Sequence, residues 1–97
     1  MNKCADDQNR KLAELYKCFA DETRLKILRC LFEQGEVTVG RLAQLIDLSD
    51  SAISHQLSRL RHMRLVAVRR EGKFSFYHLQ DEHIYQLILQ GLEHIDE

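Results

Sequence analysis

The sequence predicts a mainly α-helical fold with one β-hairpin, in the order α-α-α-α-β-β-α. Apolar residues recur at helical spacing through most of the chain, and they alternate as in strands only between residues 65 and 79. Proline, which interrupts helices, is absent from the 97 residues, and only four glycines are present. We therefore expect one domain over residues 1–97, built from helices around a single hairpin.

The first three helices are expected to be short and amphipathic. The first runs from about residue 8 to residue 19, with its apolar positions on one face. Asp21 is a typical N-cap for the second helix, and Gly35 ends that helix. The third helix begins near Thr38 and carries apolar residues up to a turn at residues 47–49.

A fourth helix follows this turn closely, so that the third and fourth helices predict a helix-turn-helix. Ser49 or Asp50 is its expected cap. The N-terminal end of the second helix in such a motif enters the DNA major groove, where Ser and Gln side chains reach base edges. Arginines further along the helix are expected to contact the phosphates of the DNA backbone. The expected DNA contacts of this helix are Ser49, Ser51, Ser54, His55, Gln56, Arg59 and Arg61.

The predicted hairpin pairs residues 65–70 with residues 73–79 and turns at Glu71–Gly72, since Gly72 can supply the positive φ of a tight turn. Between residues 53 and 73 the chain has six Lys and Arg residues against one acidic residue. A hairpin with this charge next to a helix-turn-helix is a wing that contacts the DNA backbone or minor groove. Its expected DNA contacts are Arg69, Arg70 and Lys73.

The last helix, from about residue 81 to residue 95, carries four candidate metal ligands: Asp81, His83, His94 and Glu97. The two histidines share a face but lie roughly 16 Å apart along the axis. Metal–ligand bonds are only about 2.0–2.2 Å long, so one helix cannot bring all four groups to one ion. An antiparallel copy would place Asp81 and His83 of one chain beside His94 and Glu97 of the other. The spacing therefore predicts a homodimer with two intersubunit metal sites.

The nature of these ligands favours zinc. Two imidazoles and two carboxylates make a tetrahedral N/O set that suits Zn(II), with Co(II) as a surrogate. Cu(I) prefers thiolates, and Ni(II) usually takes more ligands. Residues 81–97 contain five acidic residues and no Lys or Arg, which also favours a cation.

Three stretches of the chain resemble the ArsR/SmtB family of winged-helix repressors: FADETRLKIL at residues 19–28, LSDSAISHQL at residues 48–57, and the hairpin through residue 72. The resemblance covers nearly the whole chain. It implies a dimer joined through the first and last helices. It also implies a repressor that binds double-stranded operator DNA, an imperfect inverted repeat, and leaves it when metal binds, so that genes for metal efflux or sequestration are expressed.

Sensing sites of that family differ in position. One uses a Cys-x-Cys-type motif in the helix before the turn, but the matching residues 36–42 contain no cysteine. Another lies on the last helix and is of the zinc/cobalt type, and Asp81, His83, His94 and Glu97 match it in type and spacing. The resemblance thus implies the same four ligands as the spacing does.

Three other functions are considered. A thiol-based repressor would respond to oxidants or soft metals through Cys4, Cys18 or Cys30, although Cys18 and Cys30 lie in apolar helical patterns typical of structural cysteines. A zinc hydrolase is disfavoured, since four protein ligands leave no open position for water and no HExxH motif is present. A metal buffer would leave the basic hairpin without a purpose. We expect no catalytic residue and no small-molecule substrate.

The expected location is the cytoplasm. The first ten residues are polar and show no signal-peptide pattern, and no apolar run approaches the length of a membrane span. We therefore expect no membrane partner.

Overall fold

The computed structural model describes the backbone of residues 3–97 and the side chains of residues 5–97. Five helices and three strands follow one another along this part of the chain. Their bounds are α1 Lys3–Ala20, α2 Glu22–Gln34, β1 Val37–Thr38, α3 Val39–Ile46, α4 Asp50–His62, β2 Val66–Glu71, β3 Phe74–Leu79 and α5 Glu82–Ile95. The predicted mainly α-helical fold with a β-hairpin is confirmed.

Helix α1 is longer than the apolar pattern predicted, since it begins at Lys3 instead of about residue 8. Its first turns are polar and therefore gave no periodic signal. Asp6 lies in the first turn, where a negative charge interacts favourably with the helix dipole. An Asp7–Arg10 ion pair of 3.2 Å spans the next turn. Local charge, not burial, thus extends the helix.

The sheet has a third strand, which corrects the predicted order to α-α-β-α-α-β-β-α. β1 pairs antiparallel with β3, so that the strand order is β1-β3-β2. Val37 lies opposite Tyr77, and Thr38 lies opposite Phe76. A strand of two residues is too short to show alternation, and only its partner 40 residues further along defines it.

The wing is the hairpin of β2 and β3. The register runs from Val66 opposite Leu79 to Glu71 opposite Phe74, which leaves Gly72 and Lys73 as the turn. Gly72 has a φ of +58°, as predicted. The turn is therefore one residue later than the predicted Glu71–Gly72 link, and Lys73 lies at its tip.

A single apolar core fixes the orientation of α4. Ile53, Leu57 and Leu60 on one face of this helix are completely buried against α2, α3 and the sheet. Each such side chain contributes about 1.5–3 kcal/mol through burial. The opposite face of α4 must therefore point to solvent. The fully buried core residues are Ile27, Leu28, Leu31, Leu42, Ile53, Leu57, Leu60, Leu65 and Val66.

The turn of the helix-turn-helix is fixed by backbone geometry and one cap. Asp47 ends α3 in the left-handed region, with φ +63°, and its N–H donates to the Ala43 carbonyl. The Ser49 hydroxyl then accepts from the N–H of Ala52 at 3.1 Å. Ser49 is thus the cap of α4, one of the two residues predicted for this role. Among residues 3–97, none of the helices has both the length and the apolar character needed to cross a membrane.

Candidate nucleic-acid interface and metal centre

The exposed face of α4 carries small and basic side chains. Its N-terminal half presents serines and a histidine, which let the helix backbone come close to a surface, and its C-terminal half presents arginines. Ser58 belongs to this face but was missed by sequence reasoning, although its spacing of four from Ser54 and seven from Ser51 would have placed it there. The exposed residues of this face are Ser51, Ser54, His55, Ser58, Arg59, Arg61 and His62.

Two residues predicted to contact DNA have other positions. Ser49 is exposed, but its hydroxyl oxygen accepts the capping hydrogen bond, so that the hydroxyl hydrogen and one lone pair remain for a partner. Gln56 borders the buried face of α4, and its Oε1 atom is buried without a hydrogen-bond partner among the described residues. Of the residues predicted on α4, the other five lie on the exposed face.

The wing arginines differ in their surroundings. The Arg69 guanidinium donates to both carboxylate oxygens of Glu36, at 2.9 and 3.2 Å, and to Glu71 at 2.7 Å. It also lies over the Phe76 ring, 4.8 Å from the centroid. These hydrogen bonds raise the pKa of Arg69 and lower the pKa of the Glu36 carboxyl. The charge of Arg69 is therefore already balanced within the chain.

Arg70 and Lys73 have no acidic partner within the part of the chain whose side chains are described. Both are exposed; Lys73 lies in the turn of the wing, and Arg70 lies two residues before it. They supply the free positive charge of this hairpin. His78, in the second strand, is half-buried, and its Nδ1 lies 2.8 Å from the Leu79 carbonyl, which can only accept. His78 thus has a hydrogen-bond partner within its own strand.

The first pair of candidate ligands, Asp81 and His83, lies at the N-cap of α5. The Asp81 Oδ1 atom accepts from the backbone N–H groups of His83 and Ile84, at 3.1 and 3.3 Å. The same oxygen lies 2.6 Å from Nδ1 of the His83 ring. The side chains are 44% and 76% exposed. Capping therefore holds the Asp81 carboxylate beside the His83 imidazole, at the surface.

The second pair lies at the other end of α5. Nδ1 of His94 and Oε2 of Glu97 are 3.9 Å apart, and both side chains are largely exposed. The Glu97 N–H donates to the His94 carbonyl at 3.3 Å, which continues the helical path beyond Ile95. The predicted pairing of His94 with Glu97 is thus present in the structure, in a more open form than the first pair.

The donor atoms fit half of a zinc site at each end. Two ligands of a tetrahedral ion with bonds of about 2.0 Å lie about 3.3 Å apart. The observed separations of 2.6 and 3.9 Å lie on either side of this value. Within residues 5–97, no three possible ligands come together. One chain therefore offers two pairs and no complete site.

An open apolar groove runs beside α5. Its volume is about 1050 Å³, and it lies between the C-terminal end of α1, the length of α2, the end of α3 and the C-terminal half of α5. Tyr16, Leu87 and Ile95 leave 54%, 37% and 73% of their surface exposed there. Contiguous apolar surface of this kind is typical of an interaction site. The first and last helices, through which the resemblance implied a dimer contact, each form part of its wall, and α2 forms the largest part.

Cys18 and Cys30 are poorly suited to sensing. Cys18 is 5% exposed, and burial raises the pKa of its thiol. Cys30 is half-buried at the apolar groove, and burial again raises its pKa. Since the thiolate is the reactive form, both thiols are weak nucleophiles and weak ligands at neutral pH. The side chain of Cys4, the third candidate of the thiol hypothesis, lies outside the described residues.

Known proteins match this sequence over most of its length. Residues 21–68 match the family described as bacterial regulatory protein, arsR family. A transcriptional repressor SmtB homolog of Synechocystis is 40% identical over 91 residues, which cover 94% of this chain and 68% of that protein. The chain belongs to the arsR family of bacterial regulatory proteins. A cadmium resistance transcriptional regulatory protein CadC homolog of Staphylococcus aureus is 36% identical, over 86% of this chain and 69% of that protein.

A solved structure agrees with the fold. The homodimeric winged helix-turn-helix DNA-binding domain of a possible ArsR-family regulator from Mycobacterium bovis superposes with a TM-score of 0.90 at 28% identity, over 100% of this chain and 89% of that one. The predicted winged helix-turn-helix fold and the family resemblance are thus confirmed. This arsR-family chain is a transcriptional regulator and not an enzyme.

Proposed function

We propose that this arsR-family chain is a zinc-responsive repressor that binds operator DNA as a homodimer in the cytoplasm. Zinc binding between the two α5 helices releases the DNA and allows expression of metal efflux or sequestration genes. One observation carries the proposal: α5 holds two exposed ligand pairs at opposite ends, and one chain cannot combine them. The similar proteins support it, since one is named a repressor and another a cadmium resistance regulator.

The dimer follows from the arrangement of α5 and the groove. An antiparallel partner helix would bring its His94 and Glu97 to Asp81 and His83 of the first chain, and the reverse at the other end. The apolar residues of the groove would be covered at the same time, including Tyr16. The homodimeric state of the similar Mycobacterium bovis domain supports this arrangement.

The ligand set favours zinc over cadmium. Two imidazoles and two carboxylates contain no thiolate, whereas soft metals prefer sulfur. Four protein ligands also form a closed site, as is typical of structural zinc and unlike catalytic zinc. Co(II) is expected to bind at the same place as a surrogate.

Zinc, when bound, supplies a crosslink between the two α5 helices. His94 then has a second ring nitrogen, which ligating histidines usually use to donate a hydrogen bond. By resemblance, its acceptor is a backbone carbonyl near Arg64, the residue with φ +59° just after α4. That hydrogen bond would connect α5 to the helix that reads DNA. Zinc must bind the free dimer more tightly than the DNA-bound dimer, typically by about 1–3 kcal/mol.

The first test is DNA binding with and without zinc. Fluorescence anisotropy measures binding to the imperfect inverted repeat of the protein's own promoter at fixed salt. Saturating zinc should weaken binding about 5–150-fold. The His83→Ala variant should bind DNA normally and ignore zinc, whereas Glu93→Gln, which removes an exposed carboxylate of α5 outside the proposed ligands, should respond as the wild type does. Tight binding that ignores zinc would reject the sensor, and no binding at low salt would reject the repressor.

The second test asks whether the sites lie between chains. His83→Ala and His94→Ala homodimers each lack one ligand in both sites. A mixed dimer of the two variants has one site with both substitutions and one site with all four native ligands. We expect the mixture to recover one tight zinc site per mixed dimer, measured by competition with a chelator. If the ligands acted within one chain, mixing would restore none.

A further inference from the structure

The tip of the wing presents an exposed phenyl ring. Phe74 is the first residue of β3, lies opposite Glu71 and follows the Gly72–Lys73 turn directly. Its exposed fraction is 53%, close to that of residues in the apolar groove such as Tyr16. Yet Phe74 does not line that groove. The proposed dimer contact therefore gives no reason for its exposure.

A stack of side chains holds this ring in place. The centroids of Phe74 and Phe76 are 6.4 Å apart with a tilt of 53°, a favourable geometry for two aromatic rings. Residues two apart in a strand share a face. Phe76 in turn lies under the Arg69 guanidinium, which Glu36 and Glu71 fix by hydrogen bonds. Glu36, just before β1, therefore fixes Arg69, and Arg69 and Phe76 together fix the orientation of Phe74.

Free positive charge lies beside the ring and on the opposite face of the hairpin. The Lys73 Nζ atom is 5.5 Å from the centroid of Phe74. Arg70 lies opposite Ser75, so it faces away from Phe74, and it has no acidic partner among the described side chains. The Glu71 carboxylate, on the face of the ring, is paired with Arg69. An apolar ring at a basic tip is complementary to the DNA minor groove, where phosphates line both edges and apolar sugar and base surfaces lie between them.

We propose that Phe74 enters the minor groove as an apolar wedge beside the bases that α4 contacts. This inference rests on the proposed binding of operator DNA. Apolar side chains that enter the minor groove partly unstack a base step, and flexible pyrimidine–purine steps permit this most easily. Phe74 therefore selects operators by the deformability of the sequence flanking each half-site, while Arg70 and Lys73 hold the phosphates.

The test compares Phe74→Ala, Phe74→Leu and Lys73→Gln by anisotropy over a range of salt concentrations. Phe74→Ala should bind the operator about tenfold more weakly with the wild-type salt dependence, since it removes apolar contact and no charge. Phe74→Leu should keep most of the affinity. Lys73→Gln should instead reduce the slope of log K against log salt by about 1.8, because each homodimer loses two phosphate contacts at about 0.9 each.

A second readout reports on the DNA itself. 2-Aminopurine placed at the flanking step should become brighter when the wild type binds and should change little with Phe74→Ala. Replacing that step by a stiff A-tract should reduce wild-type affinity and leave Phe74→Ala nearly unaffected. Zinc binding and thermal unfolding of Phe74→Ala serve as folding controls, and both should match the wild type.

The outcomes separate the two proposals. If the wild type does not bind the operator, the proposed function fails. If the wild type binds and Phe74→Ala lies within twofold of it, the wedge alone is wrong. A changed oligomeric state of Phe74→Ala would also overturn the inference, since it would assign the ring to a contact between copies of this chain.

Discussion

The two charged regions of this regulator differ in whether a single chain brings all of their residues together. The candidate DNA face, formed by α4 and the wing, is assembled within one chain, whereas the candidate metal centre on α5 exists only as two separate pairs. The face of α4 is set by Ile53, Leu57 and Leu60, which are buried in the core of the same chain. The ligands of α5 lie at its exposed ends, on either side of the buried Ile84 and Ile88.

This difference has a consequence for regulation. A face that folds with the chain is present whether or not metal is available, so that DNA binding needs only two such faces at the correct distance. A site divided between chains can report metal only through the relation of one chain to the other. The dimer contact is then the element through which metal binding can change the spacing of the two DNA faces.

The strongest way to break this comparison is to disrupt the groove. Leu87→Glu introduces a charge into the apolar groove on α5. We expect a folded monomer that loses at least about 100-fold in affinity for the full operator, because the second half-site contact becomes intermolecular. Zinc binding should weaken to that of a two-ligand pair. Sedimentation velocity, anisotropy and zinc competition measure the three effects.

Gln44→Glu is the matched control, because it adds the same charge to an exposed position of α3 that does not line the groove. It should remain dimeric and retain both zinc sites. A Leu87→Glu protein that stays dimeric with two tight zinc sites would contradict the proposed interface.

Asp81 caps α5 and is also a proposed metal ligand, and two substitutions separate these roles. Asn at this position can still accept from the N–H groups of His83 and Ile84, whereas Ala cannot. Both Asp81→Asn and Asp81→Ala should lose zinc affinity, by more than the 10–100-fold typical of outer-shell changes. Only Asp81→Ala should also lose about 1 kcal/mol of folding stability, because the cap is removed.

Zinc competition and urea unfolding of the metal-free proteins measure these effects. Equal stability of Asp81→Asn and Asp81→Ala would show that the cap contributes nothing. Unchanged zinc affinity of Asp81→Asn would remove Asp81 from the ligand set.

How far the sequence predicted the molecule depends on the range of the interaction. The helices, the caps Asp21 and Ser49, and the positive φ of Gly72 follow from neighbouring residues, and the structure contains them. β1 was missed because its evidence is a partner strand about 40 residues away. The same holds for Glu36, whose ion pair with Arg69 joins residues 33 apart.

The candidate metal ligands could be identified from the sequence because the members of each pair are close neighbours along the chain. Asp81 and His83 are two residues apart and are brought together by the N-cap of α5, whereas His94 and Glu97 are three apart and lie on one side of the helical path. The difference between the two wing arginines could not be predicted from the sequence. Adjacent residues in a strand point to opposite faces, and the partner that Arg69 meets on its face, Glu36, is 33 residues away. Sequence treated Arg69 and Arg70 alike, whereas the structure gives carboxylate partners to Arg69 only.

Arg69 and Arg70 provide a sharper comparison within the DNA face. Arg70→Gln should weaken operator binding several-fold and lower the slope of log K against log salt by about 1.8, because each homodimer loses two proposed phosphate contacts at about 0.9 each. Arg69→Gln should change that slope by less than half as much, since Glu36 and Glu71 already balance its charge. Salt-dependent anisotropy measures both. Equal slopes for the two variants would mean that phosphates displace the carboxylates from Arg69.

The smallest expected effect concerns the protonation of Glu36. Hydrogen bonds from Arg69 hold the pKa of this carboxyl below its ordinary value of 4.5. A lowered folded-state pKa means that the contribution to stability is fully present above the ordinary value and is lost as the pH falls through the lowered pKa. The hydrogen bonds between Glu36 and Arg69 should therefore persist down to pH 4.5 and disappear only in more acidic solution.

NMR titration of the Glu36 side-chain carbon and of the Arg69 Nε proton measures this directly. The midpoint should lie below 4.5, and Arg69→Gln should move it upward. A midpoint at or above 4.5 in the wild type would mean that Arg69 is not held by Glu36 in solution. Arg69 would then keep only its Glu71 partner, and more of its positive charge would be available to DNA.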